Sequence, residues 1–118
     1  MARLSLRVDL GAAGAIGPGK MRLLETIAAT GSISAAGRAL GMSYRRAWSL
    51  VDEMNACFRQ PVVSVAIGGK AGGGATLTPL GREVVRRYRS LETRAATAAA
   101  ADLAALQRQT VTPADETA

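Results

Sequence analysis

Two short helical segments separated by a turn at Gly41 constrain the fold of this 118-residue chain more than any other feature. Ser32 can cap the first segment, and Gly41 can end it because glycine readily adopts the left-handed conformation of a helix end. Ser43, two residues later, can cap the second segment. Ala36 and Gly37 are small at the point where the two helices would cross. The stretch therefore predicts a helix-turn-helix.

The second segment, Ser43 to Cys57, has the residue spacing of an amphipathic helix. Its inward positions are apolar: Ala47, Leu50, Val51, Met54 and Phe58. Most of its outward positions are polar or charged: Tyr44, Arg45, Ser49, Asp52 and Glu53. Pro61 prevents the helix from continuing far. We expect the outward face to be free to meet a partner.

The residues before the helix-turn-helix predict a strand and a helix. Apolar and polar residues alternate strictly from Arg3 to Leu10, which is typical of a half-buried strand. The small residues that follow predict a loop, and Pro18 suits the first turn of a helix. Gly31 ends that helix and leads directly into the next one.

The residues after the helix-turn-helix predict a hairpin and a long helix. A β-branched run over residues 62–67 is followed by seven residues, Gly68 to Gly74, of which five are glycine, and then by a short apolar and threonine segment. Thr78 followed by Pro79 is a helix-start signal. The apolar pattern continues to about Gln109, and the polar residues beyond it are typical of a disordered tail.

This order of elements defines the predicted fold class. It is mainly α with a small β component: a winged helix-turn-helix with an N-terminal strand, a β-hairpin wing and a long C-terminal dimerisation helix. We assign residues 1–78 to a DNA-binding domain, residues 79–109 to the long helix and residues 110–118 to the tail.

Charge and composition restrict the function. The formal net charge is +6, and the cations are nearly all arginine, which favours an anionic partner. The chain has no histidine and one cysteine, so it lacks a disulfide framework, a cysteine-based metal site and the common nucleophile–base pairs. We therefore predict a protein that is not an enzyme and needs no cofactor or metal. Without a signal-peptide pattern or a run of about 20 apolar residues, we expect a cytoplasmic protein away from membranes.

Candidate contacts with double-stranded DNA cluster at the start of the second segment, because this part of a helix-turn-helix enters the major groove. Arg45 is the first candidate for base reading, since a guanidinium can bond two acceptors of guanine at once. We assign Ser43 and Tyr44 to phosphate or sugar and Arg46 to phosphate. The alternative is that Arg45 and Arg46 are an ordinary solvated pair.

Four further residues around the helix-turn-helix complete this set: Ser32, Ser34, Trp48 and Ser49. Trp48, the sole tryptophan, lies beside both the exposed and the buried stripe. The pattern leaves open whether its ring packs against a neighbouring element or contacts DNA.

The glycine-rich segment is predicted to be the tip of the wing. Lys70 supplies a charge for the DNA backbone, and glycines such as Gly72 allow a close approach. A nucleotide-binding phosphate loop is disfavoured because Ala71 stands where that motif requires Ser or Thr. A hairpin tip without a DNA contact is the alternative.

An apolar stripe along the long helix predicts a homodimer, because its alanine-rich middle buries little area alone. The stripe comprises Leu80, Val84, Tyr88, Leu91, Ala95, Ala99, Leu103 and Leu106. The alternative is a helix that folds back on its own domain.

Three stretches, Gly31 to Trp48, Glu53 to Asn55 and Gly68 to Gly81, resemble the N-terminal DNA-binding domain of ModE-type molybdate-dependent regulators. The helix-turn-helix is also similar to that of LysR-type regulators. The resemblance implies a dimeric winged-helix transcriptional regulator of a palindromic operator. It also implies that the N-terminal strand, with Leu4 and Leu6, joins the subunits together with the long helix.

ModE-type regulators carry molybdate in C-terminal domains, whereas this chain ends soon after Gln109. We therefore expect no molybdate site within it, and expect any signal to act through a partner regulator, through expression level or through a ligand at the dimer interface. The leading function is a sequence-specific DNA-binding regulator. The alternative is an adaptor that keeps the fold and uses the long helix to bind another regulator.

Overall fold

The computed structural model describes residues 1–66 and 74–111 of the chain. In chain order the elements are β1 (Val8–Asp9), a 3-10 turn (Gly11–Ala13), β2 (Ala15–Ile16), α1 (Pro18–Thr30), α2 (Ile33–Ala39), α3 (Tyr44–Cys57), β3 (Val63–Ala66), β4 (Gly74–Leu77), α4 (Pro79–Ala98) and α5 (Ala100–Arg108). The mainly helical winged-helix class predicted from the sequence is confirmed. No helix in the two described ranges is both long and apolar enough to cross a membrane.

The helix-turn-helix begins and ends at the predicted residues. The Ser32 hydroxyl accepts a hydrogen bond from the amide of Ala35 at 3.1 Å, and the Ser43 hydroxyl accepts one from the amide of Arg46 at 3.1 Å. Such a cap stabilises a helix by about 1 kcal/mol. Gly31 and Gly41 have φ angles of 73° and 70°, the left-handed conformation that an L side chain rarely adopts. The turn chemistry thus fixes the end of α1, both ends of α2 and the start of α3.

Gly37 allows α2 and α3 to cross closely, as predicted. A Cβ atom at Gly37 would lie 3.1 Å from the Cβ atom of Ala47 on α3. Both residues are buried, so the two helices meet through the smallest side chains available. This contact sets the direction in which α3 leaves the body of the protein.

A single hydrophobic core lies beneath α1, α2, α3, the hairpin and the start of α4. Its residues are Ile16, Met21, Leu23, Leu24, Ile27, Ile33, Ala36, Ala47, Leu50, Val51, Met54, Val62, Val63, Ala75, Leu77, Val84 and Tyr88. Phe58, predicted as the last inward position on the helix, instead follows the end of α3 and packs half-buried against this core. The inward stripe of α3 is otherwise as predicted.

The predicted hairpin is formed by β3 and β4, which pair antiparallel with Val63 opposite Leu77 and Ala66 opposite Gly74. Its second strand is attached to the end of α1, because the amide of Ala75 donates to the Gly31 carbonyl at 2.9 Å. The hairpin is therefore anchored at its base to the helical body.

The start of α4 is pressed against the backbone of Pro61 and Val62, just before β3. The Thr78 hydroxyl accepts from the amide of Gly81 at 3.0 Å and donates to the Pro61 carbonyl at 2.7 Å. A Cβ atom at Gly81 would lie 2.1 Å from the Val62 carbonyl oxygen, so only glycine fits this position. The body and α4 are thus joined without a linker.

The N-terminal strand is much shorter than predicted. Only Val8–Asp9 pairs, with Ala15–Ile16, whereas residues 1–7 form no strand. The alternation is real, since Ala2, Leu4, Leu6 and Val8 are half-buried between exposed residues. Its cause differs: the Tyr88 hydroxyl donates to the Leu6 carbonyl at 2.5 Å, so α4, not a second strand, covers this segment. Leu10, predicted to face inward, is 36% exposed because it begins the turn that closes this small hairpin.

The long helix is interrupted once, at Ala99, which separates α4 from α5. The backbone there has φ −96° and ψ 4°. Hydrogen bonds from Ala99 to Ala95 and from Leu103 to Ala99, each 2.9 Å, keep the helical pattern across the interruption. The predicted single helix is therefore two helices that follow one another, and they contribute to the elongated dimensions of 60 × 32 × 24 Å.

Candidate nucleic-acid interface

The amino-terminal end of α3 presents the exposed face that the sequence predicts. Tyr44 is 63% exposed, and Arg45, Arg46 and Ser49 are also exposed. The buried side of the same helix holds the core residues, so the helix cannot rotate to hide this face without exposing them. The outward face is thus a fixed feature of the fold.

The two arginines of this face carry uncompensated charge. Within residues 1–66 and 74–111, no carboxylate forms an ion pair with Arg45 or Arg46. The acidic residues of α3 lie farther along, and the Glu53 carboxylate is 3.3 Å from the Lys20 ammonium. The start of α3 is therefore the cationic end of the helix, and its guanidinium groups are free to bond an external acceptor.

The capping serines have part of their hydrogen-bonding capacity in use. Ser32 and Ser43 each accept a backbone amide through the hydroxyl oxygen. A hydroxyl retains its own proton, so each serine can still donate to a phosphate oxygen. Ser34, in the first turn of α2, is half-buried. The DNA contacts assigned to the three serines stay predictions.

Trp48 lies at the border between the exposed face and the core. It is partly buried against the core, and its ring meets that of Tyr44 edge to face, with the centroids 6.2 Å apart. Its Nε1 atom is buried and has no hydrogen-bond partner among the described residues. The ring thus packs against the core and against Tyr44, and a DNA contact by Trp48 stays a prediction.

Four residues of the hairpin stem are exposed: Ser64, Val65, Ala66 and Thr76. The predicted wing residues Lys70 and Gly72, and most of the glycine-rich segment around them, lie outside the described residues. The described stem is attached to the end of α1 by the hydrogen bond between Ala75 and Gly31, so the hairpin lies next to the helix-turn-helix.

Comparison with known proteins identifies this arrangement. The family described as "Bacterial regulatory helix-turn-helix protein, lysR family" matches residues 19–82, which is more than half of the chain. The chain belongs to this LysR-type helix-turn-helix family. The match runs from the first turn of α1 through the hairpin into the start of α4, and the family is one of regulatory proteins, not of enzymes, as predicted.

Individual relatives confirm the resemblance to ModE-type proteins. The chain is 49% identical over 77 residues to "Molybdenum-pterin-binding protein MopB" of Rhodobacter capsulatus, covering 65% of this chain and 28% of that protein. It is 42% identical over 92 residues to "Molybdenum transport protein ModE" of Azotobacter vinelandii, covering 78% and 33%. It is 42% identical over 71 residues to "DNA-binding transcriptional dual regulator ModE" of Escherichia coli K12, covering 60% and 27%. The chain thus spans about a third or less of the length of these relatives.

Asn55 is a residue of this LysR-type domain that sequence reasoning missed. Its Oδ1 atom accepts the amides of Val62 at 2.8 Å and Val63 at 3.1 Å, and its Nδ2 atom donates to the Val63 carbonyl at 3.4 Å. The side chain therefore ties the end of α3 to β3 and orients the hairpin relative to the exposed face. The available signal was a polar residue beside the inward stripe, close before Pro61.

The residues predicted for dimerisation fall into separate environments. Val84 and Tyr88 are buried in the chain's own core, so their side chains are not free for a second copy. Leu91 and Leu106 are 47% and 65% exposed. The remaining members are half-buried: Leu4, Leu6, Leu80, Ala95, Ala99 and Leu103. The part of the stripe open to a partner therefore begins at Leu91.

Proposed function

We propose that this chain is a sequence-specific, double-stranded-DNA-binding transcriptional regulator that acts as a homodimer. The recognition helix, Ser43 with α3, enters the major groove, and the glycine-rich wing contacts the backbone. The observation that carries the proposal is the exposed amino-terminal face of α3, where Arg45 and Arg46 are without acidic partners among the described residues.

The chemistry of this face suits DNA. An α-helix fits the major groove, and a guanidinium can bond O6 and N7 of guanine together, so Arg45 is the residue proposed to read bases. Arg46, next along the helix, is proposed to bond phosphate. The caps at Ser32 and Ser43 hold both helices rigidly, so the side chains meet the duplex with little ordering cost.

The relatives support the same function. The Escherichia coli relative is named as a DNA-binding transcriptional dual regulator, and its similarity to this chain lies within 71 residues. Molybdenum appears in the names of the Rhodobacter and Azotobacter relatives, of which this chain covers a third or less. We therefore propose DNA binding, the activity named for the Escherichia coli relative, for this chain.

Homodimerisation is proposed from the exposed part of the apolar stripe. Leu91 and Leu106 face solvent in one copy, and an isologous contact between two copies would cover both. Two recognition helices could then meet successive major grooves about 34 Å apart.

The proposal is tested by selecting bound sequences from a pool of random duplexes and measuring affinities for the selected and random DNA. Arg45→Ala is expected to reduce discrimination between the two by about 1 to 3 kcal/mol, because a base contact is lost. Lys70→Ala is expected to weaken both alike, because a phosphate contact carries no sequence information.

Arg59→Ala provides a matched control, since it removes the same charge from an exposed position beyond the end of α3. Equal losses of discrimination for Arg45→Ala and Arg59→Ala would contradict the role of Arg45. Binding to random DNA that does not weaken as salt rises would contradict DNA binding itself and would favour the adaptor function.

A further inference from the structure

A cleft beside α3 is lined by three cations, of which Arg7 and Lys20 were given no role in the sequence analysis. Its volume is about 360 Å³, and it lies between α3 and the stretch formed by β2 and the first turn of α1. It is lined by Arg7, by residues 15–20 including Lys20, and by Met42, Arg46 and Leu50. The lining therefore holds three cations and no carboxylate.

The three cations differ in how far their charge is balanced. The Lys20 ammonium lies 3.3 Å from the Glu53 carboxylate and donates to the Ala15 carbonyl at 2.8 Å, so it is largely occupied within the chain. Arg7 and Arg46 are exposed, and no carboxylate of residues 1–66 and 74–111 forms an ion pair with either. The cleft thus has a positive charge that an external anion can neutralise.

The position of the cleft identifies that anion. Successive residues of a helix are about 100° apart around its axis, so Arg46 lies beside Arg45 and joins the cleft to the proposed base-reading face. A helix lying in the major groove has a phosphate backbone along each edge, and guanidinium groups bond phosphate in two places at once. A DNA strand that runs past the start of α3 would therefore meet the cleft.

We propose that Arg7 and Arg46 together bind a backbone phosphate of the duplex at the edge of the groove that α3 enters. This inference rests on the proposed function and adds a contact that the helix-turn-helix pattern does not contain, because Arg7 belongs to the N-terminal segment. It extends the DNA-binding surface from α3 to the residue just before β1, independently of the wing.

The test is the salt dependence of binding to a short random-sequence duplex. Arg7→Gln is expected to reduce the slope of log affinity against log salt by about 0.9, the value for one phosphate contact with double-stranded DNA. Arg3→Gln is the matched control, because it removes the same charge from an exposed residue of the same segment that does not line the cleft. It is expected to leave the slope unchanged.

The Arg7 side chain has no hydrogen bond to other described residues, so thermal unfolding midpoints of the two variants should agree with the unchanged protein. Equal slopes for Arg7→Gln and Arg3→Gln, with Arg45→Ala still losing discrimination, would overturn the cleft proposal alone. Equal slopes are also the result expected if the cleft binds only a small free anion and no DNA phosphate, so that alternative likewise counts against the proposal. An unchanged protein that binds no duplex DNA would overturn the proposed function and this inference together.

Discussion

The first half of α4 and the helical segment after Leu91 carry the same apolar stripe in different surroundings. Val84 and Tyr88 are buried against the helix-turn-helix, and Arg89 makes a bidentate ion pair with Glu25 on α1. This pairing, with a second bond to Glu92, raises the pKa of Arg89 above its usual range. Leu91 and Leu106, by contrast, are largely exposed.

The difference shows what a helical apolar pattern does and does not specify. It specifies which side of a helix is apolar, but not which neighbour covers that side. In the first half of α4 the neighbour is the chain's own core, whereas after Leu91 no described residue covers the stripe fully. Stability in the first region is therefore internal, and in the second we propose that it comes from association.

The largest effect is expected in the first region, at the start of α4. Gly81→Ala would place a Cβ atom 2.1 Å from the Val62 carbonyl oxygen, and backbone cannot move aside easily. We expect the free energy of unfolding to fall by about 3 kcal/mol or more, at the upper end for overpacking. Chemical denaturation measures it. Gly19→Ala is the control, because nothing lies within 4 Å of its added atom; an equal loss there would refute the steric explanation.

The next effect concerns the exposed region alone. Replacing Leu91 and Leu106 together by Gln keeps the helix propensity and removes apolar area. We expect dimer dissociation to be favoured by about 2 kcal/mol, with the unfolding of the body little changed. Analytical ultracentrifugation measures the association. The matched pair Ser90→Gln and Ala105→Gln, at neighbouring exposed positions, should leave it unchanged; equal weakening by both pairs would argue against the stripe.

A smaller effect is expected within the body. Asn55→Ala leaves the amides of Val62 and Val63 without their acceptor, at an expected cost of about 1.5 kcal/mol of unfolding free energy. Asn55→Asp keeps the acceptor oxygens and should cost less. Denaturant midpoints of the two variants check this. If both variants lost the same amount, the amide hydrogen bonds to β3 would not be the cause.

The smallest effect concerns the boundary between the regions, at Tyr88. Burial, with the nearby Glu92 carboxylate, raises the pKa of Tyr88. The unfolded chain then releases this proton at a lower pH than the folded chain, so folding stability should fall as pH rises above about 10. Tyr88→Phe should remove this alkaline loss and cost about 1 kcal/mol at neutral pH through the lost bond to Leu6. Thermal unfolding of Tyr88→Phe and of the unchanged protein across this pH range checks the prediction. An alkaline loss of stability that persists in Tyr88→Phe would contradict the assignment to Tyr88.

Features set by local chemistry could be predicted from the sequence. The caps at Ser32 and Ser43 and the left-handed glycines at Gly31 and Gly41 depend on neighbouring residues alone, and all lie where expected. The outward face of α3 also follows from helical spacing, so the candidate site was located in outline.

Features that depend on contacts distant in the sequence could not be predicted. The alternation from Arg3 to Leu10 indicates one covered side, but packing on α4 produces the same pattern as strand pairing. The requirement for Gly81 and the clamp by Asn55 depend on where β3 lies in space. In the site, the pairing of Lys20 with Glu53 and the cleft beside it likewise come from the packing of α1 on α3.

The hydrogen bond between Ala75 and Gly31 has a mechanical consequence for DNA recognition. Gly31 ends α1, precedes the cap of α2 and accepts the hydrogen bond from the second hairpin strand, so it helps, together with Asn55, to fix how far the hairpin stands from α3. If the proposed function holds, α3 and the hairpin would meet the duplex at a constant separation from each other. Duplexes whose grooves are narrowed or widened by their base composition would then be bound less well, even at positions that no side chain touches.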